Sequence, residues 1–163
     1  MFTLTEKEAT FFGRFLNEIL ALLARWHSDK AVYDKEVIGN DLPGFRRKWS
    51  EKYVLNYDEF RRVSYKWHLK ISSAFTLGLA SKEYMQIRNS LLVLSRIKET
   101  FPVLRKMAFS LRVPLKKLEE DEREDLKMIA MRYSQMLSLQ EPNFKTDDEF
   151  YLVSYFRVPP PPK

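Results

Sequence analysis

The sequence predicts an all-α fold of stacked antiparallel helix pairs, of the α-solenoid or helical-repeat type, with about five to six main helices. Apolar residues recur every three or four positions through most of the chain, the period of a helix face. Only four glycines occur, and no Asn-Gly or Asp-Gly hairpin signal is present, which argues against a β-sandwich. Cap-and-return patterns, a short polar residue followed three positions later by glutamate, precede several apolar runs. Residues 1–142 read as a single all-α domain. Residues 143–163 read as an aromatic and then proline-rich tail, partly packed or flexible.

The first helix is expected from about Glu6 to Trp26, capped by Thr5 with Glu8. Its inward face reads Phe12, Phe15, Leu16, Ile19, Leu23 and Trp26. Trp26 is assigned to packing rather than to base stacking. A short second helix follows from Ser28 to about Val37. Gly39 to Phe45 is a loop, with Pro43 fixing φ and Gly44 free to take φ > 0. The next stretch, residues 46–57, is a short helix or an ordered loop. In it Arg46, Arg47, Lys48 and Lys52 interleave with Trp49 and Tyr53. Such mixtures can hold phosphate and stack a base, but the aromatics can equally pin a loop to the core.

Asn56 and Glu59 cap a helix from Tyr57 to about Ala80, with Phe60, Val63, Trp67, Ile71, Ala74 and Leu77 as its apolar face. Arg62, Lys66 and Lys70 form an i, i+4, i+8 column whose like charges repel. The centre of the stack is the stretch Ser81–Lys106. Ser81 is a possible cap, and Tyr84, Ile87, Leu91 and Leu94 line one face. Leu92, Val93 and Ile97 widen that face until the helix needs neighbours on several sides. Pro102 is placed at the start of the next helix, which presents Leu104, Met107, Ala108, Leu111, Leu115 and Leu118. Pro114 inside it predicts a kink or break. The acidic run Glu119–Asp125 reads as a helix start, where negative charge suits the dipole. Clustered carboxylates can bind hard cations, but no EF-hand spacing is present. The last long helix buries Leu126, Ile129, Tyr133, Met136 and Leu137 and stops at Pro142. Thr146 and Glu149 predict one further helical turn. Phe150 to Phe156 is expected to pack back on the body, and Pro159 to Pro162 to adopt polyproline II.

Apolar residues make up 45 % of the chain and aromatics 14 %, enough for a real core. No cysteine is present, which removes disulfides, thiolate catalysis and cysteine zinc sites. No apolar run reaches the roughly 18 residues of a membrane span, and no signal peptide is evident. The chain opens close to a helix and ends in a bare PPPPK, as expected of a domain excised from a larger protein. The net charge of +6 is unevenly spread: residues 42–117 hold 17 Lys and Arg against 5 Asp and Glu. That basic middle predicts one anion-facing surface, or simply a helical surface rich in cations. The candidate contacts to nucleic-acid phosphates are Arg62, Lys66, Lys70, Arg105, Lys106, Lys116 and Lys117.

No catalytic constellation is found. The two histidines, His27 and His68, have no metal-ligand partner at helical spacing. His27 sits at a helix end, where its positive charge would suit the dipole. No glycine-rich phosphate loop or G-x-S-x-G turn occurs. An enzyme is not expected, and no cofactor or metal is called for.

The residues read so far resemble the large subunit of the THO complex, subunit 2, in its C-terminal helical part. The carriers are Trp26, Ser28, Asp29, Ala31, Tyr33 and Glu36, then Gly39, Asn40 and Leu42 to Phe45. Trp67, Glu83 to Met85, Ile87 to Asn89, Phe101 to Val103 and Asp121 to Lys127 continue the match in order. Val37, Pro114 and the final VPPPPK depart from it. The resemblance implies a nuclear, non-enzymatic scaffold. It works with other THO subunits and a DEAD-box RNA helicase in the TREX assembly, and it couples transcription to mRNA packaging and export. It also implies a link to RNA or single-stranded nucleic acid. A pure protein-interaction module, docking other THO subunits or an acidic partner, is the alternative.

Overall fold

The computed structural model describes residues 4–46 and 53–151. α1 (Glu6–Ser28) opens on the expected capping box, with the Thr5 hydroxyl accepting from the Glu8 amide and the Glu8 carboxylate accepting from the Thr5 amide. α2 (Lys30–Tyr33) is capped by Asp29 and widens into a π turn over Asp34–Ile38. A 3₁₀ turn follows at Pro43–Phe45. The left-handed residue of this loop is Asp41, with φ of 48°, and not Gly44. Aspartate tolerates that region better than most residues, and the Asp41 carboxylate is held by Arg46. Arg47, Lys48, Trp49 and Lys52 lie outside the described residues, and on either side of them Arg46 and Val54 pair in an isolated antiparallel β-bridge.

α3 (Tyr57–Leu79) carries a second capping box, from Asn56 and Glu59. α4 (Tyr84–Arg96), α5 (Arg105–Leu118), α6 (Glu124–Leu139) and the single turn α7 (Asp147–Phe150) complete the chain. The all-α stack is as expected, and α4 is its middle, packing against α1, α3 and α6. α5 bridges α3 and α6. Ile87, Leu91, Val93, Leu94 and Ile97 are fully buried, which is the all-round apolar character that the sequence of α4 demands. Gly13 lets α1 approach α4 closely: a Cβ there would lie 2.9 Å from the Arg96 Cβ.

Several expected details are corrected. α1 turns Ala9, Gly13, Leu20, Leu23 and Trp26 inward, while Phe12, Phe15 and Ile19 stay exposed. The small residues Ala9 and Gly13 permit the close α1–α4 contact, so the bulkier arc beside them is rotated outward. α3 is rotated in the same way. Phe60, Ser64, His68, Ser72 and Phe75 face the core, Trp67 and Ile71 sit at its margin, and Leu77 is 66 % exposed.

α4 begins at Tyr84 rather than at Ser81, and Tyr84 is exposed. α5 begins at Arg105, so Pro102 belongs to the connector, after a cis Phe101–Pro102 bond. Pro114 does not break α5, which runs on to Leu118. Met107, Ala108 and Leu111 on one side of Pro114 and Leu115 and Leu118 on the other are all buried, so one buried face continues across the proline.

A second, smaller core gathers Leu23, Trp26, Tyr33, Val37 and Phe60 around the α1–α2–α3 corner. At the other end Phe144 and Phe150 are buried in the main core. The Lys145 amide donates to Val103 and its carbonyl accepts from Arg105, tying the segment after α6 to the start of α5. The aromatic run beyond Tyr151 and the proline tract lie outside the described residues.

Candidate functional site

The seven candidate phosphate contacts fall on α3 and α5, which pack side by side. Lys66 and Lys70 are exposed on α3, and neither has an ion pair among the described residues. Arg62, at the start of the same column, is half-buried. Lys106 is not free: its ammonium meets Asp147 at 2.8 Å, bonds the Tyr65 hydroxyl and lies over the Tyr65 ring. Arg105, Lys116 and Lys117 are exposed. Helical spacing divides the α5 cations. Lys106 and Lys117 share one row with Ser110, and Lys106 and Ser110 face α3. Arg105, Arg112 and Lys116 share another, toward α6. Lys116 lines a groove between α5 and α6 with Phe109 and Met131, and Arg112 there is paired with Glu141 at 2.7 Å. The expected cations therefore form two or three short rows rather than one continuous stripe.

A second surface was not anticipated. Phe11, Phe12, Phe15, Ile19 and Leu22 stand exposed along α1. Beside them an apolar groove of about 430 Å³ runs between α1 and α3, walled by Leu16, Ile19, Leu23, Trp26, Trp67 and Ile71. Gly44 and Phe45 close its end near Trp26. A sequence signal for it existed. Apolar residues occupy positions 11, 12, 15, 16, 19, 20, 22, 23 and 26, an arc wider than one buried face requires.

The remaining polar groups are structural. The Trp26 indole donates to Glu36 at 2.9 Å, which uses up the one polar atom of that ring. Arg88 ties three helices together, reaching Glu6 on α1 and Asp125 on α6 from α4. Tyr84 donates to the same Asp125 carboxylate. Within the acidic run after α5, Asp121 is gripped by Arg123, whose hydrogen bonds hold its carboxyl at about 2. Among the described residues no group of three or more His, Asp or Glu is placed to hold a metal ion. No described helix is long and apolar enough to cross a membrane.

His27 corrects an expectation. It lies in the last turn of α1, as expected, but as a buried neutral ring rather than a charged group. Burial, reinforced by the nearby Arg61 charge, lowers its pKa to about 4. It stacks on Phe150 with ring centres 4.1 Å apart, and His68 meets the same ring edge-on at 5.3 Å. Burial lowers the pKa of His68 to about 4 as well.

Comparison with known proteins identifies the family. The family model described as "Transcription factor/nuclear export subunit protein 2" matches residues 1–137. The chain belongs to the THO complex subunit 2 family. The THO complex subunit 2 of Arabidopsis thaliana is 37 % identical over 160 residues, covering 97 % of this chain and 9 % of that relative. The human subunit is 36 % identical over 168 residues, covering 96 % of this chain and 10 % of its own length. The subunit of Dasypus novemcinctus is also 36 % identical, over 170 residues. The chain thus spans about a tenth of the length of the curated relatives it matches. No solved structure is matched at a significant level.

Some of the residues by which the sequence resembles the THO subunit 2 family are internal supports, and others, such as Ser28, Asp29, Asn40 and Glu83, are exposed. Trp26, Tyr33, Glu36 and Phe45 meet in the smaller core, where Phe45 sets its ring near both Trp26 and Tyr33. Arg88 and Asp125 pair with each other, and Leu126 is buried. Trp26, Phe45 and Trp67 of this set also line the α1–α3 groove. The candidate cations and the exposed α1 face lie outside the set.

Proposed function

We propose that this chain is a non-enzymatic assembly module of a nuclear THO complex, acting within TREX to couple transcription to mRNA packaging and export. Its family membership supports the setting. The single observation that carries the mode of action is the run of large apolar side chains left uncovered on α1, where Phe15 is 62 % exposed. Contiguous exposed apolar surface of this kind marks an interaction site. The partners in this reading are other THO subunits and the DEAD-box helicase of TREX. Mixing the purified chain with the remaining reconstituted THO subunits tests it by analytical ultracentrifugation. Co-sedimentation that disappears with F15S/I19S is expected. Co-sedimentation unchanged by that pair removes the α1 face from the reading.

A second reading is contact with RNA or single-stranded DNA phosphates. It is favoured by the exposure of Lys66, Lys70, Arg105, Lys116 and Lys117, none of them ion-paired among the described residues. Backbone contacts of this kind are weakly sequence-selective. Titration with labelled single-stranded RNA at two salt concentrations should show affinity falling steeply with salt, with a log–log slope of roughly −0.7 per phosphate neutralised. Changing Lys66 and Lys70 to Glu should flatten that slope. An unchanged slope would exclude the α3 face.

A further inference from the structure

We propose that the groove between α1 and α3 seats one amphipathic helix of another protein, with carboxylates along the edge that meets Lys66 and Lys70. This deepens the assembly reading above and rests on it.

The shape argues for a helix. α4 already packs against both α1 and α3 on the core side. The groove lies between the same two helices, and its walls are apolar side chains from both. From Leu16 to Trp26 it offers roughly 15 Å of helix length, about three turns of an occupant. Leucine-sized groups at i, i+3, i+4 and i+7 would meet Leu16, Ile19 and Leu23 from one side and Trp67 and Ile71 from the other. A nucleobase finds little there to recognise, because the walls are apolar and the Trp26 N–H already bonds Glu36.

Charge argues for the acidic edge. From Phe60 to Leu79 α3 carries no carboxylate, while Lys66 and Lys70 are exposed. Lys66 and Lys70 immediately precede the two α3 wall residues, Trp67 and Ile71, and so stand on the flank of α3 one step round from the wall. Lys66 stands three residues past Val63 and four before Lys70. On the opposite edge, α1 between Ala9 and Ser28 carries one carboxylate, Glu18, against Arg14 and Arg25. Carboxylates on the incoming helix would relieve the like-charge column on α3 and set the orientation of docking. A second copy of this chain is disfavoured by the same electrostatics, since it brings its own net charge of +6.

Two synthetic helical peptides test the proposal. Both carry leucines on one face. One has glutamates along the flanking edge and the other has lysines. Fluorescence anisotropy reads binding, and a blue shift of tryptophan emission reports burial of Trp67 at the groove margin.

The acidic peptide should bind with a blue shift, and the basic one about tenfold more weakly, as screened rim charges allow. K66E/K70E should invert that order. F15S/I19S, at exposed positions that leave the core intact, should weaken the acidic peptide by tenfold or more on the apolar area lost.

Equal binding of both peptides would overturn the charge assignment while leaving the assembly reading in place. Binding indifferent to F15S/I19S would overturn the groove itself. Sedimentation showing a dimer abolished by F15S/I19S would assign the groove to a second copy instead. Single-stranded RNA that binds through the groove when neither peptide does would assign it to nucleic acid.

Discussion

At the scale of single residues, two histidines set the acid response. His27 and His68 are buried against Phe150, and their Nε2 and Nδ1 atoms respectively have no hydrogen-bond partner. Burial holds both near 4, below the ordinary 6.5, so both are neutral in the fold at pH 7. Unfolding exposes them. Between pH 6.5 and 4 the unfolded chain then binds protons that the folded chain refuses. Stability should therefore fall as the pH drops through that window and level off below it as far as these two groups are concerned. The slope approaches about 1.4 kcal/mol per pH unit for each histidine. Urea unfolding at a series of pH values checks this, and His68→Leu should roughly halve the loss between pH 6.5 and 5. The upper part of the window is the cleaner one. The paired carboxylates Asp121, Asp125 and Glu141 have lowered pKa values and add their own losses only in more acid solution.

At the scale of elements, starts and stops follow local chemistry. Asn56 caps α3 by accepting from the Glu59 amide at 2.9 Å, and Glu59 returns the bond to the Asn56 amide at 3.0 Å. Asn56→Ala should cost about 1 kcal/mol, measured as a lower midpoint in chemical denaturation with an unchanged slope. Pro114 has the opposite sign. It sits inside α5 without an amide to donate, and its ring is buried. Pro114→Ala should raise the thermal midpoint. The gain is bounded by the roughly 3 kcal/mol that an interior proline costs, less the burial lost with the ring. A lower midpoint would mean that the ring's packing outweighs the missing hydrogen bond.

At the scale of the whole molecule, the chain after α6 is the clasp that closes the stack. Phe150 is 3 % exposed between α1 and α3 side chains, and Arg61 of α3 donates to the Phe150 and Glu149 carbonyls. Phe150→Ala should cost about 3–5 kcal/mol, the range for a large core truncation. It should also speed amide exchange over residues 144–151 more than in α4, as local opening of a terminal segment does. Uniform acceleration across the chain would instead show that α7 is inseparable from global unfolding.

How much of this was legible differs by feature. The capping boxes at Thr5, Asn56 and Thr146 were readable because a cap involves residues three positions apart. The burial of α4 was readable because its apolar residues run nearly all round. The inward faces of α1 and α3 were misplaced. On α1 the apolar arc is wider than the core needs, and on α3 Ser64, His68 and Ser72 face inward against the usual preference. The candidate cations were readable as charges, but not their grouping. Lys106 is taken by Asp147, 41 residues away, a partner that no local pattern names.

Local sequence, then, determined the helical class, most helix starts and the uneven charge, because these arise from interactions within a turn or two of the chain. Which arc of α1 stays uncovered, which lysines stay free and which histidines lose their charge were decided only by the packing of distant helices. Rotation of a helix about its own axis is set by what it packs against, and neither periodicity nor composition encodes that angle.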